Sequence, residues 1–97
     1  MDLCYDAETH LCDDLLRFSQ VIEYKTEYQL VRLCEDFDAI ACAVIDFENK
    51  QCTIYIDYRR KNKSTDLKHE VNHCHGWLHD NTDDYEDKPW YPIERLQ

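Results

Sequence analysis

Eleven consecutive residues constrain this chain more than any other stretch: His69-Glu70-Val71-Asn72-His73-Cys74-His75-Gly76-Trp77-Leu78-His79, the pattern H-E-x-x-H-x-x-G-x-x-H. Ser64-Thr65-Asp66 ahead of it offers an N-cap and an acidic first turn, and Gly76 offers a stop, so a helix is predicted over 65–75. At roughly 100° per residue, His69 and His73 stand one turn apart, and both imidazoles can meet one ion. Glu70 sits beside them, within reach of a water at that ion without being forced to bind the ion itself. Leu67, Val71 and Cys74 form a separate apolar stripe for packing. Gly76 is the only glycine in the chain; it can take a positive φ and turn the backbone so that His79 returns as a third ligand. Three neutral imidazoles leave one tetrahedral position open, which is the layout of a catalytic rather than a closed structural zinc site. The bland alternative is a helix whose histidines are solvated or satisfied in the core. His75 points away from the other two and reads as surface. Cys74 continues the Leu67–Val71 stripe and reads as core, with a thiol ligand or a redox-sensitive neighbour as the alternative.

The rest of the chain is read from its periodicity. Leu11, Leu15, Phe18 and Ile22 fall at helical spacing behind Asp13 and Asp14, which predicts an N-terminal helix over 10–22. Residues 22–30 are ambiguous. Ile22, Tyr24, Thr26, Tyr28 and Leu30 alternate as a strand would, whereas Tyr24, Tyr28 and Val31 also suit a helix face; tyrosine and β-branched content favours the strand. Residues 39–47 and 52–58 flank Glu48-Asn49-Lys50-Gln51 and predict a hairpin over 39–58 within a small antiparallel sheet. A four-residue loop there pairs Phe47 with Cys52, Ile45 with Ile54 and Ala43 with Ile56 on one apolar face. The basic run Arg59-Arg60-Lys61-Asn62-Lys63 reads as a solvated connection. The tail from Asp80 to Gln97 reads as irregular, packing Trp90 and Tyr91 back onto the molecule.

Composition bounds the function. A chain of 97 residues is expected to make one domain, 1–97, with a modest core. Eleven basic against 21 acidic residues give a net charge of −10, which argues against a nucleic-acid-binding surface, since phosphate contacts need clustered Lys and Arg. The longest apolar run, 40–45, is far too short to span a bilayer, so no membrane role is expected. Met1-Asp2-Leu3-Cys4-Tyr5-Asp6 lacks the basic and apolar regions of a signal peptide, so the expected location is cytoplasmic, in whatever cell makes the chain. Six cysteines are dense for a reduced compartment; free buried thiols are favoured over disulfides on the absence of a leader.

The histidine pattern resembles that of the zincin metallopeptidases, and within them the metzincin type. More loosely, Cys34, Ala41-Cys42-Ala43, Cys52-Thr53-Ile54-Tyr55, His69-Glu70 and His73-Cys74-His75-Gly76-Trp77 resemble small zincin-like proteins carried by phages and plasmids. The resemblance implies a minimal zincin-like α+β domain with Zn²⁺ held by His69, His73 and His79. It also implies Glu70 as general base and then acid in peptide hydrolysis. Two features depart from it: Met1 is the only methionine, so a methionine turn under the metal is lacking, and 18 residues follow His79 where a further subdomain is usual. Tyr85 or Tyr91 is a candidate extra ligand or oxyanion donor, although simple cover of the core is the favoured role. The expected function is a zinc metalloendopeptidase acting on a protein or peptide substrate. The alternative is a non-catalytic zinc-stabilised binding module, a phage-particle component or an inhibitor of a host protein, whose acidic charge suits a basic partner surface.

Overall fold

The alternating segments in the middle of the chain pair as antiparallel strands, and the other elements pack around them. The computed structural model describes residues 3–5, 7, 10–60, 63–79 and 89–93. Their order is β1 (Ser19–Lys25), α1 (Glu27–Cys34), β2 (Ala41–Asp46), β3 (Gln51–Asp57), a 3-10 turn (Tyr58–Arg60), α2 (Ser64–Cys74), β4 (Trp77–Leu78) and β5 (Tyr91–Pro92). The α+β class stands. The sheet, however, is mixed rather than antiparallel: its order is β1-β3-β2, with β1 parallel to β3 and β2 antiparallel to it.

The hairpin forms with its register moved by two residues. Ala41 faces Ile56, Ala43 faces Ile54 and Ile45 faces Cys52. A slide of two keeps every side chain on its expected face, so the apolar pattern alone cannot choose between the two registers. The turn chooses. Asp46 Oδ1 accepts from the backbone N–H groups of Glu48 and Asn49, both at 3.1 Å, and Asp46 Oδ2 accepts from Asn49 Nδ2 at 2.7 Å. Lys50 adopts φ 53°, so the loop closes over 47–50 instead of 48–51.

The helix expected over 10–22 does not form. Residues 11–18 run without regular structure, and Ser19–Lys25 is strand β1. Of the residues at helical spacing, Leu11, Leu15 and Ile22 are exposed, so they share no buried face. The backbone donors of this segment are used elsewhere. Leu15 and Leu16 N–H both reach the carbonyl of His75, and Cys12 N–H reaches Asn72 Oδ1 at 2.7 Å. Arg17 turns left-handed at φ 56°. The chain then enters β1, where Val21, Ile22 and Tyr24 suit an extended backbone. Both readings of 22–30 are realised, in succession. The strand ends at Lys25, and Thr26 begins α1 with a capping box: Gln29 N–H donates to Thr26 Oγ1, and Gln29 Oε1 accepts from Thr26 N–H. Leu30 is the fully buried residue of that helix.

Helix α2 matches expectation within one residue. Its N-cap is Lys63 without a side-chain bond, so Ser64 is its first residue rather than its cap. Leu67 and Val71 pack with Cys74 against Cys52, Ile54, Ala43 and Ile45, as the apolar stripe requires. A second cluster gathers Cys4, Ala7, Cys12, Trp77 and Trp90. The basic run is only partly as expected. Arg59 is exposed yet ion-paired with Asp57 and Glu27, Arg60 pairs with Asp66, and Lys61 and Asn62 lie outside the described residues.

The cysteines overturn the free-thiol expectation. All six are paired: Cys4–Cys12, Cys34–Cys42 and Cys52–Cys74. The first closes the N-terminal arm, the second ties the end of α1 to β2, and the third ties β3 to the end of α2. Two small core clusters supply limited apolar burial, and cross-links supplement it by restricting the unfolded chain. No helix among the described residues is long and apolar enough to cross a membrane.

Candidate metal centre

Helix α2 carries His69 and His73 one turn apart, and the chain leaves it through Gly76 at φ 103°. Only glycine takes that conformation without steric cost, and the turn sends the backbone into β4. His79 follows β4 directly and comes back against the helix. The ring centroids of the three histidines form a near-equilateral triangle: 5.0 Å for His69–His73, 4.9 Å for His69–His79 and 5.0 Å for His73–His79. Their candidate ligand atoms all lie within 4.8 Å of one another, and His69 Nε2 is 3.2 Å from His79 Nε2. Nitrogens bound at 2.0–2.1 Å to one tetrahedral ion stand about 3.3 Å apart, so this pair is already spaced for a shared zinc.

The protonation pattern also suits an ion. His73 Nδ1 lies 2.9 Å from the carbonyl of Trp77, which can only accept, so Nδ1 carries the proton and Nε2 keeps its lone pair. Burial, reinforced by the neighbouring His69, pushes the His73 pKa down to about 4, so the ring is neutral, the form that binds metal. The donor set therefore suits a metal ion such as zinc: three half-buried, converging imidazoles, one of them held neutral with its tautomer fixed by an outer hydrogen bond.

Glu70 is 7 % exposed. Burial, with a smaller contribution from the charge of Asp66, raises its carboxyl to about 7. A carboxyl in that range both takes and returns a proton near neutrality. With His69 it lines a cavity of about 400 Å³ that reaches the entrance of β2.

Three residues whose part here the sequence did not reveal hold the site together. The Trp90 ring packs on all three histidines, with centroids 4.9, 4.8 and 4.5 Å from His69, His73 and His79. It touches every ring of the triangle and is not among the residues that line the Glu70 cavity. Asn72, an unassigned x of the pattern, is fully buried. Its Nδ2 donates to the carbonyls of Ala7 and His10, and its Oδ1 accepts from Cys12 N–H, which clamps the N-terminal arm onto α2. His75, expected on the surface, is buried, with Nδ1 2.8 Å from the carbonyl of Cys12, and it stays outside the triangle as expected. Helical spacing placed it off the ligand face but gave no sign of the arm that covers it.

Cys74 is core as expected, though as half of a disulfide rather than a thiol. Tyr91 is half-buried and pairs with Leu78 across β4–β5, while Tyr85 lies outside the described residues. A second group of possible ligands, Cys4, His10 and Cys12, has both sulfurs engaged in a disulfide. Comparison with known proteins finds no matching family model, no matching curated protein and no matching solved structure.

Proposed function

We propose that the chain is a zinc-dependent metallopeptidase whose ligands are His69, His73 and His79 and whose general base is Glu70. One observation carries this reading: three imidazoles from α2 and the segment after β4 converge to ligand spacing beside a buried carboxylate. The resemblance of residues 69–79 to the metzincin pattern supports it. Zinc bound there supplies polarisation of a carbonyl and acidification of water. Glu70 accepts the proton of the attacking water and delivers it to the leaving amine. Trp90, itself buried and packed on all three rings, shields them from solvent.

That same tryptophan favours one second reading, a zinc-stabilised binding module, since an aromatic ring packed on every ligand also suits a site that only holds the fold together. Metal analysis of purified protein, followed by peptide-library digestion with wild type and Glu70→Gln, separates the two. The peptidase reading expects about one zinc per chain in both proteins. It also expects cleavage by the wild type that falls by about 10²–10⁴-fold in Glu70→Gln. Zinc in both with cleavage in neither supports the binding module.

A further inference from the structure

The cavity beside the histidines is walled by carboxylates. It runs from Asp36 and Asp38, in the turn after α1, past Ala39, Ile40 and Ala41 to the first turns of α2. Asp66 in that wall is paired with Arg60 at 3.1 Å. Asp36, Asp38 and Glu70 have no cationic partner among the described residues. Glu70, 7 % exposed, also accepts no hydrogen bond from them, and since no side-chain oxygen among the described residues is buried without a partner, its carboxylate opens into this space. Carboxylates that meet only solvent in a cavity are open to a cationic partner. The partner is not a compact metal ion held by these acids, because they do not gather closely enough to share one; among the described residues only the two groups already named do. An extended cation fits better. Ala39, Ile40 and Ala41 offer an apolar wall for a methylene stem, and the carboxylates offer acceptors for a charged head.

We propose that this cavity is a specificity pocket that takes a lysine or arginine side chain of a peptide, with Asp36 and Asp38 meeting the cationic head and Ala39–Ala41 lining its stem. The substrate class rests on the peptidase reading; the pocket's choice of side chain does not. The test therefore reads binding separately from cleavage. N-acetyl-arginine, N-acetyl-norleucine and N-acetyl-glutamate methylamides are titrated into the zinc-loaded full chain, followed by amide NMR shifts of Asp38, Ile40 and Thr65. The arginine compound is expected to bind about tenfold or more tighter than norleucine, with glutamate weakest, and to lose part of that advantage in high salt. The double variant Asp36→Asn/Asp38→Asn changes two exposed residues outside the metal ligands, so its fold and zinc affinity stay while the preference for arginine disappears. Equal binding of arginine and norleucine by the wild type overturns the pocket, as does a preference that survives in the double variant. Peptide-library digestion is scored alongside. Arginine-selective binding without any cleavage keeps the pocket and removes the peptidase. Cleavage indifferent to basic residues keeps the peptidase and removes the pocket.

Discussion

His69 and His79 are ten positions apart in sequence, yet their Nε2 atoms lie 3.2 Å from each other. The separation is set by the left-handed turn at Gly76 and the short strand that follows it. Replacing His79 by alanine removes one corner of the triangle and leaves α2 unchanged. Zinc affinity, measured by competition with a chromophoric chelator, is expected to fall by more than about 100-fold, beyond the effect of losing an outer-shell contact. Unchanged affinity rules out His79 as a ligand.

Asn72→Ala should be among the most damaging single changes outside the histidines. It strands the buried carbonyl of Ala7 and the buried N–H of Cys12, together with the half-buried carbonyl of His10, all bonded to this fully buried side chain. Leaving such groups unpaired costs about 1–3 kcal/mol. For a chain of this size that lowers the midpoint of thermal unfolding by about 4–8 °C per kcal/mol. Calorimetry checks the shift, and an unchanged midpoint contradicts the clamp.

Cys52–Cys74 joins the central strand to the end of the histidine helix and has the longest sequence separation of the three bridges, 22 residues. The double replacement Cys52→Ala/Cys74→Ala is expected to cost about 2–5 kcal/mol in denaturant unfolding. Mass spectrometry of the native protein after thiol alkylation should find no label on any cysteine. A labelled Cys52 or Cys74 contradicts the bridge.

Asp57 carries an acid-dependent part of the stability. Hydrogen bonds from the Arg59 guanidinium and backbone hold its carboxyl down to about 2 from an ordinary 3.8. A lowered folded-state value means that the contribution is complete above the unfolded value and is lost as pH falls through about 2. Asp57→Asn should therefore be less stable than wild type near neutrality, with the gap narrowing between about pH 4 and 2. Arg59 is exposed, so added salt should shrink the effect. Parallel unfolding curves for the two proteins across that range contradict it.

The parts of the molecule legible in the sequence are those decided by local geometry. One helical turn sets His69 and His73, one glycine sets the return of His79, and alternation sets the faces of β2 and β3. Where non-local partners decide, the pattern misleads. Leu11, Leu15, Phe18 and Ile22 have helical spacing, but the donors of 12, 15 and 16 are claimed by Asn72 and His75, some 60 residues away. The capping box at Thr26 and Gln29 is present in the sequence, masked by the tyrosine alternation that runs through it. Strand β1 gives no hint that its partner is β3 in parallel, because that pairing spans an intervening helix and strand. The cysteine pairing is likewise a property of the folded path. Trp90 is the largest omission at the site: an aromatic in an acidic tail reads as general cover, and only its position on three imidazoles gives it a specific place.

Cys4 and Trp90 exchange backbone hydrogen bonds in both directions, so the wall over the histidines is anchored by a segment made long before it. During synthesis the three histidines emerge before that wall can close over them. The histidine triangle therefore gains its aromatic wall only once residue 90 has been made and folded back against Cys4.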